Sequence, residues 1–248
     1  MSMKTTMVVV VALVGLVLVA PAALAIEGTL DLSAQSQYIW RGMILNDKPV
    51  FQPSINLSQG LLSASVWFNV DLTDDSGHRW EHNEVDYSVA YTSEFKHFDF
   101  TLTWYEYTFP HTTTVKTQEL WASVALKTAL SPTFTAVRDI DLIEGWYYTF
   151  SVAPSFELLD PSVSEGLTLT LSVGRGTGDY VRGYYPDVTV DTVTDYLARL
   201  DLPVKLGPGT LKLNLQYTNF TDADIRTPGF ETESSGRLVG GIGYTLAF

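Results

Sequence analysis

The chain has 248 residues, with 15 Lys plus Arg against 28 Asp plus Glu and a formal net charge of −13. That balance excludes a nucleic-acid partner, which would need a basic face. The lack of cysteine excludes disulfides, thiolate-bound zinc, thiol catalysis and a lipid-modified N-terminal Cys. Charged residues are only 17%, low for a soluble domain, yet a mean hydropathy of +0.09 is too low for a bundle of membrane helices.

Lys4 opens a short positive region, Met7 to Ala20 is an unbroken apolar run, and Ala23-Leu24-Ala25 is a small-x-small cleavage site. Those three parts in that order predict a secretory signal peptide over residues 1–25. A membrane anchor would also fit an uncharged run from Met7 to Ala25. Pro21 and the alanine cluster interrupt that run, and no basic stop-transfer residues follow. Residues 26–248 are then one exported domain.

Alternation dominates that domain. Leu30, Leu32, Ala34, Tyr38 and Trp40 share one phase, with Asp31, Ser33, Gln35, Gln37 and Arg41 in the other. Leu62 to Leu72 and Leu211 to Thr218 alternate in the same way, the period of a strand with one wet and one apolar face. Twelve strands are predicted, at 29–41, 51–58, 61–72, 83–93, 97–109, 117–128, 132–143, 145–156, 166–175, 192–204, 210–219 and 237–248. No segment carries a helical period.

The connections alternate between tight turns, such as Ser58-Gln59-Gly60 and Leu206-Gly207-Pro208-Gly209, and longer polar loops, such as 73–82, 176–191 and 220–236. The fold class this predicts is all-β: a closed, antiparallel, twelve-stranded transmembrane barrel with short periplasmic turns and longer extracellular loops. Strands of 10–12 residues, rising about 3.3 Å each and tilted about 40–45°, span about 25 Å of apolar band. Aromatics near strand ends in the outward phase form two interfacial girdles. Trp40, Phe51 and Trp146 stand on the loop side, and Tyr91, Phe98, Phe100 and Phe248 on the turn side. A soluble β-sandwich would also alternate. It would not explain the loop asymmetry, the girdles or the terminal Phe248. The implied partners are outer-membrane lipid, small solutes or ions as cargo, and the periplasmic chaperones and barrel-assembly machinery, engaged through the last strand.

Ser36-Gln37-Tyr38-Ile39-Trp40-Arg41-Gly42, then Gln52-Pro53, then Ala64-Ser65-Val66-Trp67, resembles the opening of the TorF-like porin family. The likeness is most specific over residues 28–72; Gly145-Trp146-Tyr147-Tyr148 matches in style. Met43-Ile44 stands where that family has Ser after Arg-Gly. The resemblance implies an outer-membrane location and a pore-like function, and brings no substrate and no catalytic residues.

Several constellations along the chain match motifs of catalysis or metal binding. His78-Arg79-Trp80-Glu81-His82 matches the H-x-x-E-H pattern of a zinc peptidase family, but strand alternation begins immediately after it, so an exposed loop is expected. His97 and His111 fall on other connections and add no ligand cluster. A Ser-His-Asp hydrolase would need a Ser beside a strand-borne His, and only His82 lies near a strand start. Glu84 and Asp86 could serve an acid-pair protease, although such carboxylates are ordinary in a pore lining. The acids of 73–86 lack the spacing of a calcium loop. Gly174-Arg175-Gly176-Thr177-Gly178 opens no helix and reads as a loop, not a phosphate cradle. No cofactor, metal or catalytic residue is expected. Arg138 falls in the outward phase, where a mid-bilayer charge costs about 2–4 kcal/mol; a bulge at Ala136-Val137 would turn it inward.

Setting aside Arg138 and the rim residue Arg237, the inward phase holds ten acids, Asp31, Asp71, Glu84, Asp86, Asp99, Glu119, Asp139, Asp141, Asp195 and Asp201, against four bases, Arg41, Lys127, Arg199 and Lys212. An acid-lined lumen concentrates cations. Arg41 is expected to anchor an ion-pair network with Asp71, Glu84 and Asp86 at the loop-side mouth. Trp67, Tyr105, Tyr107 and Trp121 also point inward and could narrow the lumen. The expected function is a passive porin-like channel. A barrel plugged by its own side chains is the alternative, and a barrel hydrolase the third.

Overall fold

The computed structural model describes residues 26–73, 79–185, 192–221 and 236–248. The expected signal peptide therefore lies outside the described residues, as do His78, Asp74 and Asp75.

Alternating sequence becomes alternating sheet. The strands are β1 (Glu27–Gln35), β2 (Tyr38–Trp40), β3 (Met43–Asn46), β4 (Val50–Phe51), β5 (Ser54–Gln59), β6 (Leu62–Asp71), β7 (His82–Glu94), β8 (Phe98–Thr108), β9 (Thr117–Leu126), β10 (Thr133–Asp139), β11 (Trp146–Val152), β12 (Ser155–Phe156) and β13 (Leu167–Thr177). A short helix α1 (Asp179–Tyr184) follows, then β14 (Thr192–Leu206), β15 (Gly209–Phe220) and β16 (Arg237–Ala247). All but β2 and β3 belong to one antiparallel sheet. Pro53 divides β4 from β5 and Pro154 divides β11 from β12, because proline has no amide hydrogen to give the ladder. Each divided pair runs as one stave, so the wall has twelve staves.

The sheet closes where β16 pairs β1, from Thr29 opposite Ala247 to Gln35 opposite Gly241. Gly28 and Phe248 then exchange backbone hydrogen bonds of 2.8 and 2.9 Å. The Phe248 ring lies over Gly28, where a Cβ would sit 2.3 Å from it. A side chain at this position would have to push the terminal ring aside.

Burial is inverted relative to a soluble protein. Leu62, Leu102, Leu120, Leu215 and Ile242 lie exposed on the outer face, whereas Asn69, Asp71, Glu84, Glu119, Thr135, Asp139 and Asp195 are buried. Of the expected girdle, Tyr91, Trp146 and Phe248 are exposed. Phe51 stands opposite Ala34 and Val70, and Phe98 and Phe100 opposite Leu126 and Val124, in the same outward rows.

Three expectations are corrected. The first predicted strand, 29–41, stops at Gln35, and residues 38–46 fold back as the separate β2–β3 hairpin. Arg41 (φ 48°) and Gly42 (φ 81°) form its tip; both sit in the left-handed region that a reversal of this kind needs. Trp40 is consequently not an interfacial aromatic: it has left the wall with the hairpin. The strand predicted at 132–143 ends at Asp139, so Asp141 is an exposed loop residue and not part of the lining. No bulge occurs at Ala136-Val137, where both neighbours keep register. Arg138 faces outward at the loop-side end of β10, its guanidinium 5.3 Å from the Trp146 ring. A charge at that depth reaches the headgroups, which removes most of the mid-bilayer cost.

Candidate functional site at the loop-side mouth

The β2–β3 hairpin crosses the inside of the barrel instead of standing above it. Its base leans on the near wall, with Tyr38 ring to ring against Trp67 at 5.6 Å. Below, Gln52 Nε2 donates to Asn69 Oδ1 (3.0 Å) and Asn69 Nδ2 to Asn83 Oδ1 (2.8 Å), which satisfies the buried amides around the entry point. Met43 packs with Val137, Tyr147, Tyr180, Val181, Tyr185, Val193 and Phe220, an apolar cluster inside an otherwise polar lumen.

Arg41 carries the tip to the far wall. Its Nη1 and Nη2 donate to Oε1 and Oε2 of Glu119, both at 2.8 Å, and Nη1 also meets the Tyr180 hydroxyl. Its Cζ lies 4.3 Å from the Trp40 ring, 4.5 Å from Tyr147, 5.2 Å from Trp121 and 5.4 Å from Tyr180. The side chain is 7% exposed and that of Glu119 not at all. Burial alone would lower the affinity of the guanidinium for its proton, but Glu119 beside it raises it above the ordinary value. The pair is charged and bidentate, the strong form of such a contact. Arg41 thus anchors an ion pair at the mouth, as the sequence suggested, but with Glu119 across the lumen and not with Asp71, Glu84 or Asp86.

Helix α1, from the loop after β13, completes the closure. Trp40 meets Tyr184 at 5.1 Å, Tyr184 meets Tyr180 at 4.5 Å, and the Tyr185 hydroxyl donates to the Arg41 carbonyl (3.0 Å). Asp139 ties this helix to the wall and to its own loop. Its Oδ2 accepts from Thr117 Oγ1 (2.7 Å) and Tyr184 Oη (2.8 Å), while Oδ1 accepts the amides of Asp141, Ile143 and Glu144 (3.1, 2.9 and 3.2 Å). Asp195 accepts the Tyr147 hydroxyl at 2.6 Å.

Turnward of the hairpin the lining is small and hydroxylic. Ser65 pairs with Ser88, Thr92 with Thr101 and Ser123 with Thr135. A cavity of about 270 Å³ adjoins the tip, bordered by Trp121, Thr149, Ser172, Asp195 and Gln216. Three more of the inward bases are paired: Lys212 with Asp31 (2.8 Å), Arg199 with Asp201 (2.7 Å) and Lys127 with Asp99 (2.7 Å). Glu84 and Asp86 follow one another on the inner face of β7, and Asp86 Oδ1 is buried without a hydrogen-bond partner. Tyr105, Tyr107 and Trp121 stack as one wall patch, with ring centroids 5.7 and 4.8 Å apart. Of the three, Trp121 lies against Arg41 and Tyr107 holds its partner Glu119.

Sequence reasoning missed Met43, Tyr147, Tyr180, Tyr184, Tyr185 and Phe220. One signal was present in the Gly174-Arg175-Gly176 run, which belongs to β13 and not to a loop. A Cβ on Gly174 would strike the Tyr147 hydroxyl, and one on Gly176 would lie 2.9 Å from the Tyr180 ring. The glycines leave the hollow these two rings fill. His82 and His111 rings meet at 5.4 Å, and no group of three metal-ligating side chains occurs among the described residues.

No family model matches the chain, and neither does any curated protein. Solved structures are similar in fold. The NanC porin aligns with a TM-score of 0.53 at 11% identity, covering 88% of this chain and 98% of the porin. An outer membrane channel from Pseudomonas putida F1 aligns with a TM-score of 0.52 at 11% identity, covering 92% and 97%. The fold is that of outer-membrane barrels.

Proposed function

We propose that the chain is an outer-membrane, porin-like channel for small solutes, narrowed at its loop-side mouth by the folded-in hairpin and α1. The observation that carries this reading is the inversion of burial: apolar rows face out around the whole wall, and hydroxyls, amides and charges face in. The similarity to porins in fold and the TorF-like opening motif support the same reading. Export by a signal peptide over 1–25 and docking of the strand ending in Phe248 on the assembly machinery belong to it.

The lining favours cations. With Asp141 outside the lining, the four bases Arg41, Lys127, Arg199 and Lys212 are each already paired with an acid. Glu84, Asp86, Asp139 and Asp195 make no ion pair with any of these four bases and leave the lining in acid excess. A surplus of one sign between low-dielectric walls attracts the opposite ion. Reversal potential under a salt gradient across a planar bilayer tests this, and a value on the anion side refutes it.

The occluded mouth favours a second reading, a plugged scaffold that passes nothing. Replacing residues 38–46 by a short Gly-Ser linker separates the two. A channel conducts in small steps with the hairpin in place; a scaffold conducts nothing until the hairpin is removed, if at all.

A further inference from the structure

We propose that Glu119 and the rings around it form a guanidinium site built into the barrel wall. Arg41 fills it at rest, and a solute bearing a guanidinium group competes for it and releases the hairpin. This rests on the channel reading and names its cargo and its trigger.

Apart from the Trp40 ring at 4.3 Å, the site is built without the hairpin. Glu119 and Trp121 stand on β9, Tyr107 on β8 and Tyr147 on β11, all wall staves. Glu119 Oε2 accepts from the Tyr107 hydroxyl (2.9 Å) and from Trp121 Nε1 (2.8 Å). The carboxylate therefore keeps its direction and two donors when Arg41 withdraws. Both its oxygens face one planar cation edge-on at 2.8 Å, and the rings of Tyr147 and Trp121 lie 4.5 and 5.2 Å from the cation's carbon. A fork of two parallel N–H donors and a flat π-face is what a guanidinium presents and an ammonium does not. The adjoining cavity of about 270 Å³ has room for the remainder of a small solute, with Thr149, Ser172 and Gln216 to hydrogen-bond it.

The occupant is separable. β2 and β3 pair only with each other, through three residue pairs with an irregularity between Tyr38 and Ile39. Swinging the hairpin out breaks no rung of the barrel ladder, at the cost of drawing Met43 from its cluster and giving up the Trp40–Tyr184 and Tyr185–Arg41 contacts. A solute shifts such an equilibrium only by its preference for one state, and only the released state offers Glu119.

The test begins in detergent, independently of conduction. Methylguanidinium chloride is titrated into Arg41→Ala and followed by tryptophan fluorescence. A saturable change is expected, with methylammonium at least about tenfold weaker for want of the second parallel hydrogen bond. Arg41→Ala combined with Glu119→Gln should lose the response. An equal response in that double variant, or equal responses to the two cations, overturns the site. If Arg41→Ala does not fold, Arg41→Lys replaces it: methylguanidinium should then act at lower concentration than on the wild type, and an unchanged concentration counts against the proposal. In planar bilayers, methylguanidinium on the loop side of the wild type should raise conductance, and methylammonium at equal ionic strength should not. Selective binding without any conduction upholds the site and removes the channel reading. Conduction that ignores both cations overturns the trigger.

Discussion

Asp139 is the residue whose removal should damage the mouth most. Its two oxygens accept five hydrogen bonds, three from amides of its own loop, one from the wall hydroxyl of Thr117 and one from Tyr184 on α1. The residue is fully buried, so water does not replace a lost partner. Hydrogen bonds to a charged group contribute about 1.5–3 kcal/mol each, but they share one acceptor and are not additive. Removing the shared acceptor leaves its buried donors unpaired, each at about 1–3 kcal/mol and less than additively. Asp139→Ala should therefore lower the urea midpoint of the refolded protein in micelles and make residues 140–145 sensitive to protease. Asp139→Asn separates charge from geometry. Its Oδ1 still accepts the three amides, and its Nδ2 can donate to hydroxyls that rotate to accept, so the loss should be less than half of that in the alanine variant. Equal loss in both would mean that the charge, not the geometry, matters. Wild-type stability and an uncut loop in the alanine variant would refute the assignment of Asp139 as the anchor.

Other positions give sharper, smaller tests. Arg138→Leu should change unfolding free energy by less than about 1 kcal/mol, the interfacial figure; a gain above about 2 kcal/mol would place that arginine near mid-bilayer. Gly28→Val should reduce the fraction that resists unfolding on an unheated gel, and Phe248→Ala in the same chain should restore it, because the clash is with that ring. If the channel conducts, Asp195→Asn should move the reversal potential toward the anion side, since Asp195 is a surplus acid bordering the cavity; no movement would show that current does not pass there.

The wall was legible because lipid on one side and polar lumen on the other impose a period of two on every stave. Leu211 to Thr218 needs no more than that, and its inner residues Lys212 and Asn214 do fall opposite Gly243 and Gly241. The hairpin was not legible for the same reason. Tyr38 and Trp40 continue the alternation of Leu30, Leu32 and Ala34, and an amphipathic strand that turns off the wall keeps its pattern. Arg41-Gly42 alone marks the reversal. Arg41 was expected to find acids on staves adjacent in sequence, whereas the hairpin delivers it to Glu119, 78 residues on. Six residues of α1 are too few to show a helical period, so Tyr180 and Tyr184 stayed anonymous among loop residues.

The seam between β1 and β16 has a consequence for how the molecule is made. The exchange between Gly28 and Phe248 joins the two extremes of the barrel chain, and no earlier stave can substitute for β16 in that register. An emerging chain carries two raw sheet edges until its final eleven-residue strand arrives, and raw edges recruit other chains. Closure therefore requires β16, and the unpaired edges persist until it is in place. A chain cut short by a single stave is expected to aggregate as an open ribbon, not to close as a smaller pore.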